Sequence, residues 1–470
     1  MTYPPRARSD GGEAAIPPSG CPARADRVRL SSNAVLGELG GLYEKLRAEH
    51  GPVVPIDLDG VPAYLVIGHR ALLSVYTKET IFTPDSRQWS ELQAGRVPAD
   101  WPWLPQIAHA EGNVRFMSAG QHQRVRVLLS SGLNQADGAH IHRFVTWVAD
   151  RLIDRFAATG RADIVADYAA PLPMLVMLRL LGLPHDTGEA LLPAIFRLLE
   201  GGSEAQSAND EINAVLDRLV TERRARPERD LMSWLIHGQG AEGPALSDLE
   251  VRNLAWLTVM AGAGGTTGWI SNVLEQLVRG ADLHSLYLAG SASIAEIMNE
   301  TNRSNPAVQN VLGRFPTRDI PAGELGNEHP IPRGALLVLG LAGANADPDV
   351  TGGSGRDTSH LSNEYHYAFG AGPHECPTAA QRLAHTITQT SIERFLVRCR
   401  NLRLEDDQAV QWGGSIILRQ LSGLRVTFAP GACQAGGEAA DSSALGDASR
   451  SSHYLFPPRM LTQLTSHMSP

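Results

Sequence analysis

The chain has 470 residues, 43% hydrophobic and 19% charged, which is ample material for a buried core and carries no overall signature of disorder. Its 41 basic and 50 acidic residues give a net charge of −9 with no long basic stretch, which argues against electrostatic capture of nucleic acid or of an anionic membrane. The four cysteines, Cys21, Cys376, Cys399 and Cys433, form no close pairs of the kind a structural zinc site or disulfide framework needs, and no secretory leader or run of about 18 apolar residues occurs, so a reduced cytoplasmic setting is expected.

Residues 1–28 are rich in Pro, Gly and Ser and lack apolar periodicity, so they are expected to be disordered. PVVPIDLDGVPAYLVIG (52–68) alternates apolar and polar residues about Asp59-Gly60, a dipeptide suited to a tight turn, and predicts a β-hairpin. The next segment, 81–117, carries Trp89, Trp101, Trp103 and Phe116, which either line a pocket for a planar substrate or pack the loop onto the body. HQRVRVLLSSGL, FVTWVADRLIDRFAA, LPMLVMLRLLGL and LLPAIFRLLEG then repeat with the helical period and predict a bundle.

The longest predicted helix starts at Ser247, where Ser247 and Glu250 have capping-box spacing, and runs for about 30 residues. Gly262, Gly264, Gly265 and Gly268 lie in its middle, each costing about 0.5–1 kcal/mol relative to Ala. Either another element packs closely there, or the turn opens over a ligand. Glu300 and Arg303 share a face of a helix that Pro306 ends. Beyond residue 430 the composition again becomes Gly- and Ser-rich, so 431–470 is expected to be a flexible tail, although YLFPPRMLTQL within it is able to dock or form a short helix.

Chemistry concentrates in YHYAFGAGPHECPTAAQRLAH. Gly370 and Gly372 permit a tight turn, and Cys376 stands just before a helix that Pro377 can start. A sulfur at the positive end of a helix is favoured as thiolate and suits metal ligation; the competing reading is an inert buried cysteine. The string Phe369-Gly370-x-Gly372-x-His374-x-Cys376 resembles the haem-binding loop of the cytochrome P-450 superfamily.

That resemblance implies a mainly α fold with a minor β part, the triangular single-domain haem-thiolate fold, over residues 29–430. It implies haem b, with Cys376 as the iron ligand, Phe369, Gly370 and His374 in the cofactor loop, and His122, Arg126, Arg314 and His374 as partners of the haem carboxylates. Glu300 and Arg303 match a structural pair of the family. Along the long helix, Gly264 and Gly265 stand where the family usually has an acid and an alcohol, with Thr266 and Thr267 one and two places later; a one-residue bulge is the route by which Thr266 would turn inward. Thr378 replaces a usual Gly, and VTGGSGRDTSHLSN is a weak version of the segment before the loop.

Trp89, Val311, Leu312, Ile416 and Ile417 fall at the family's substrate-facing positions. Electrons are expected from NAD(P)H through a ferredoxin and a ferredoxin reductase, with Arg382 a candidate contact, because no dinucleotide-binding fingerprint follows a strand. The missing acid and alcohol, with sequence likeness to an actinobacterial biosynthetic branch, imply oxidative radical coupling of an aromatic substrate such as a tryptophan-containing cyclic dipeptide. Hydroxylation of a secondary metabolite is the alternative, and a non-catalytic haem sensor is an alternative of another class.

Overall fold

The computed structural model describes residues 27–30, 39–200, 204–238, 244–351, 365–405 and 411–431. The expectations for the two terminal segments, for Cys21 and Cys433, and for most of VTGGSGRDTSHLSN lie outside these residues. The strands in chain order are β1 (Val28–Leu30), β2 (Val53–Leu58), β3 (Val61–Val66), β4 (Phe82–Thr83), β5 (Arg161–Asp163), β6 (Asn310–Pro316), β7 (Leu336–Gly340), β8 (Arg403–Leu404), β9 (Trp412–Gly414), β10 (Arg419–Leu421) and β11 (Arg425–Thr427). Helices account for most of the remainder, the longest being Asp248–Arg279, followed by Ala205–Ala225 and Thr378–Arg398 at 21 residues each.

The main sheet has the order β1-β2-β3-β7-β6-β4. β2 and β3 form the expected hairpin, with Asp59 and Gly60 at φ 48° and 88° and the Gly60 amide donating to Asp57 Oδ1. The two-residue alternation of strands sends Leu336 and Val338 to one core cluster and Leu337 and Leu339 to another, so the sheet is buried on both faces. A third, larger cluster surrounds the Asp248–Arg279 helix. One helical stretch among the described residues, Ile164–Leu181, is long and apolar enough to cross a membrane, but 61% of it is buried inside the protein.

The capping box predicted at Ser247 is present, with the Ser247 hydroxyl accepting from the Glu250 amide and the Glu250 carboxylate from the Ser247 amide. The helix stays α-helical over all 32 residues. The bulge that would have turned Thr266 inward is therefore absent: Thr266 keeps the regular helical position, about 100° beyond Gly265, and is buried with Thr267.

The glycine cluster divides between the two readings. A Cβ on Gly262 would lie 2.7 Å from Met177 Sδ, and one on Gly268 would lie 2.7 Å from Ala307 Cβ, so these two serve close packing. At Gly264 and Gly265 the nearest atoms, Leu418 Cδ1 and Val308 Cγ2, are at 3.5 and 3.7 Å, ordinary contact distances. Packing does not require glycine at those two positions.

Candidate functional site

The cysteine loop is built by backbone hydrogen bonds. The Gly370 amide donates to the Tyr367 carbonyl at 2.7 Å and the Cys376 amide to the Phe369 carbonyl at 2.9 Å, which folds the segment back on itself. Gly370 and Gly372 both adopt positive φ, and a side chain on Gly372 would lie 2.7 Å from the Tyr76 carbonyl oxygen. Glycine is thus required there twice over. Pro377 caps the helix instead of opening it, and the helix begins at Thr378. Gln381 reaches back from its first turns to donate to the Cys376 carbonyl and to Glu375 Oε1.

The expected thiolate is not a property of this loop alone. Burial pushes the Cys376 thiol up to about 11, outweighing the attraction of Arg126, so the bare protein holds a neutral thiol.

Above the loop the structure brings together the four predicted carboxylate partners. His122 stacks on His374 with ring centroids 3.9 Å apart. Burial lowers His122 to about 4 and His374 to about 2, with Arg126 and Arg314 depressing both further. Arg126 donates to the Glu375 carbonyl. Arg314 is only 5% exposed, bonds the Gly313 carbonyl, faces the Tyr76 ring, and leaves its Nε without a partner. Gly313 makes this possible, because at φ 96° it forms a bulge in β6 that shifts Arg314 out of register.

Arg115, which the sequence reading missed, joins them: burial and the Arg314 charge lower its pKa. Its signal was only a lone Arg in the aromatic segment. Against these cationic and imidazole groups, Glu79 comes near. Its Oε1 lies 2.9 Å from His374 Nε2, yet neither atom makes a hydrogen bond. Buried cations without carboxylates are costly, so the cluster calls for an anionic partner. A haem, with two carboxylates beside the cluster and an iron for the Cys376 sulfur, fits these residues.

Glu300 and Arg303 make the paired hydrogen bonds expected of them, at 2.8 and 2.7 Å. Phe369 packs against Trp269 and His385 behind the loop. Arg382 is exposed and bonds Asn134 Oδ1, tying two helices together.

The substrate-facing expectations need correction. Trp89 is fully buried between Trp101 and Phe315, while Trp101 and Trp103 donate their indole N–H to Leu58 O and Asp59 Oδ2 of the hairpin. The aromatic segment packs onto the sheet, where it excludes water from the hairpin. Leu312 and Ile416 belong to the same core cluster, with Ile417 packed against it and Val311 against the opposite face. The residues that face Gly264 and Gly265 are Leu418 and Val308, which form a β-bridge with each other. Val308, Ile416, Ile417 and Leu418 lie outside the named strands, and their segments pair through the Val308–Leu418 bridge, a non-local contact that no turn motif marks.

No family model matches the chain. Among curated relatives it is similar to cyclomarin C epoxidase CymV of Salinispora arenicola, 30% identical over 292 residues that cover 59% of this chain and 72% of the relative. It is also similar to cytochrome P-450 CYP107DY1 of Priestia megaterium, 26% identical over 419 residues and covering 85% and 98%. Its fold matches the solved structure of CYP154C4 from Streptomyces sp. ATCC 11861 with a TM-score of 0.74, at 27% identity, covering 86% of this chain and 98% of that one.

Proposed function

Because the chain belongs to the cytochrome P-450 family and is therefore a haem-thiolate enzyme fed by external electron donors, we propose that it couples radicals of an aromatic secondary metabolite, with a tryptophan-containing cyclic dipeptide as the best-fitting substrate. Family membership sets aside the non-catalytic sensor. Haem b supplies one-electron oxidising power drawn from dioxygen. Cys376 would hold its iron, and His122, Arg126, Arg314 and His374 its carboxylates, which would neutralise the buried cationic cluster. Electrons come from NAD(P)H through a ferredoxin and its reductase, docking near Arg382.

The observation that carries the coupling reading is the helix at Gly264 and Gly265. Neither glycine carries a side chain that can hold or pass a proton, and Thr266 stays buried one position beyond the alcohol site. Val308 and Leu418 wall the same place with apolar groups suited to an aromatic face. Such a site favours taking a hydrogen atom from each of two aromatic centres, so that R–H and R′–H with dioxygen, one NAD(P)H and one proton give R–R′ and two waters. Hydroxylation is the second reading, supported by the named oxygen-inserting activity of the cyclomarin relative; there R–H ends as R–OH with one water.

Incubation with a surrogate ferredoxin system, labelled dioxygen and a panel of tryptophan-containing cyclic dipeptides separates the two. A coupled product lacking two hydrogens and free of label is expected. A monomer gaining one labelled oxygen would replace coupling by hydroxylation. Gly264→Asp with Gly265→Thr, for which space exists, should raise the labelled fraction.

A further inference from the structure

The Asp248–Arg279 helix has no polar side chain where the family's acid and alcohol would stand, but a polar group from elsewhere reaches the backbone of Gly264. The carboxamide of Gln420, on β10, donates from Nε2 to the Gly264 carbonyl at 2.7 Å. We infer that Gln420 is a positioning residue for proton delivery, orienting a water beside Gly264 and Gly265 in place of the missing acid and alcohol.

The placement is enforced from three directions. Gly268 admits the strand: a Cβ there would lie 2.7 Å from Ala307 Cβ and 3.2 Å from both Arg419 O and Gln420 Cγ. The Arg419 amide donates to the Ala307 carbonyl, and Leu418 bridges Val308, which fixes the register. Arg419 lies with its guanidinium 3.6 Å over the Trp412 ring and its Nε on Asn305 Oδ1, its charge felt by Glu275 further along the helix, while Gln420 next to it reaches Gly264.

A carboxamide carries two donor hydrogens and an acceptor oxygen. One hydrogen serves Gly264. The other and Oε1 have no protein partner among the described residues, and Gln420 is only half-buried, so both remain available to water. A carboxamide does not ionise near neutrality; Gln420 orients the donor, and the proton comes from solvent.

The test needs no substrate, so it stands apart from the choice between coupling and hydroxylation. In the haem-loaded enzyme with NADPH and a surrogate ferredoxin system, dioxygen leaves either as hydrogen peroxide, taking two electrons and two protons, or as two waters, taking four of each. Gln420→Met, which keeps the packing on Gly268, is expected to raise the peroxide share several-fold and to change the solvent isotope effect on water formation. Gln420→Glu, which keeps an oxygen at the same reach, is expected to return the share towards the parent value. Amide hydrogen exchange over residues 262–270, measured on the same proteins, reports the helix itself. An unchanged peroxide share in Gln420→Met would overturn the inference. Equal peroxide gains in both variants, with equally faster exchange, would reduce Gln420 to a helix clamp and overturn it too. Gln420→Leu repeats the comparison should the Met variant fold poorly.

Discussion

The two sides of the site are polarised by different means. On the cysteine side, side chains do it: His122, Arg126, Arg314 and His374 converge with buried charge and unpaired donors beside a loop whose Gly370 and Gly372 both take positive φ. On the long-helix side the chain has removed side chains, and polarity is left to the Gly264 carbonyl and a glutamine borrowed from β10. The first arrangement suits the carboxylates of a haem; the second is where the proposed coupling chemistry would be decided.

The largest expected effect tests the first half of that contrast. Cys376→Ala should abolish the thiolate-type carbon monoxide spectrum while leaving the loop folded, since the Cys376 backbone, not its sulfur, bonds Phe369. Retention of that spectrum would remove Cys376 as ligand. Arg314→Leu should weaken haem retention by about 10–100-fold, the scale of a lost charge-assisted hydrogen bond. The same substitution should stabilise the apoprotein, because it deletes a buried cation whose desolvation outweighs the distant charge of Glu79 and which makes no ion pair among the described residues. Denaturant midpoints of apo and loaded protein, moving in opposite directions, would mark the cluster as built for an anionic ligand; parallel movement would make Arg314 a packing residue.

Much of the cysteine side was legible in the sequence because its signals are local. Gly370, Gly372, His374 and Cys376 lie within seven residues, and the capping box at Ser247 and the turn at Asp59-Gly60 depend on neighbours a few positions away. The substrate side was not, because it depends on which strand residue meets which helix residue. Val311, Leu312, Ile416 and Ile417 lie one to four places from Val308 and Leu418, and only the pairing of the two segments through the Val308–Leu418 bridge decides which residues face Gly264 and Gly265. Trp89 misled for another reason: an aromatic-rich loop has the same composition whether it lines a cavity or covers a hairpin. Arg115 and Gln420 carry no motif, and only the fold brings them near the site.

A smaller effect concerns acid. His122 titrates near 4 in the folded protein and near 6.5 when unfolded, chiefly through burial and then through Arg126 and Arg314. Between those values the unfolded chain binds a proton that the native chain does not, so native apoprotein should lose stability as pH falls from about 6.5 towards 4. Carboxylates placed beside His122 would favour its charged form and shrink that loss. Urea midpoints at pH 7 and pH 5 should therefore fall more in apo than in haem-loaded protein. An equal fall would detach His122 from the carboxylate-binding cluster.

The smallest effects lie within the long helix and sharpen the contrast most finely. Gly268→Ala forces a methyl to 2.7 Å from Ala307 Cβ and close to the backbone of β10, and should cost about 1–3 kcal/mol as overpacking. Gly262→Ala meets the flexible thioether of Met177 at a similar distance and should cost less, because that sulfur can move. Gly264→Ala meets only Leu418 Cδ1 at 3.5 Å and should stabilise the helix by about 0.5–1 kcal/mol, the usual gain over glycine in a helix interior. Folding therefore does not ask for glycine at Gly264, and a measured gain in stability there, alongside a changed product, would assign that glycine to the reaction. A loss as large as at Gly268 would return it to packing.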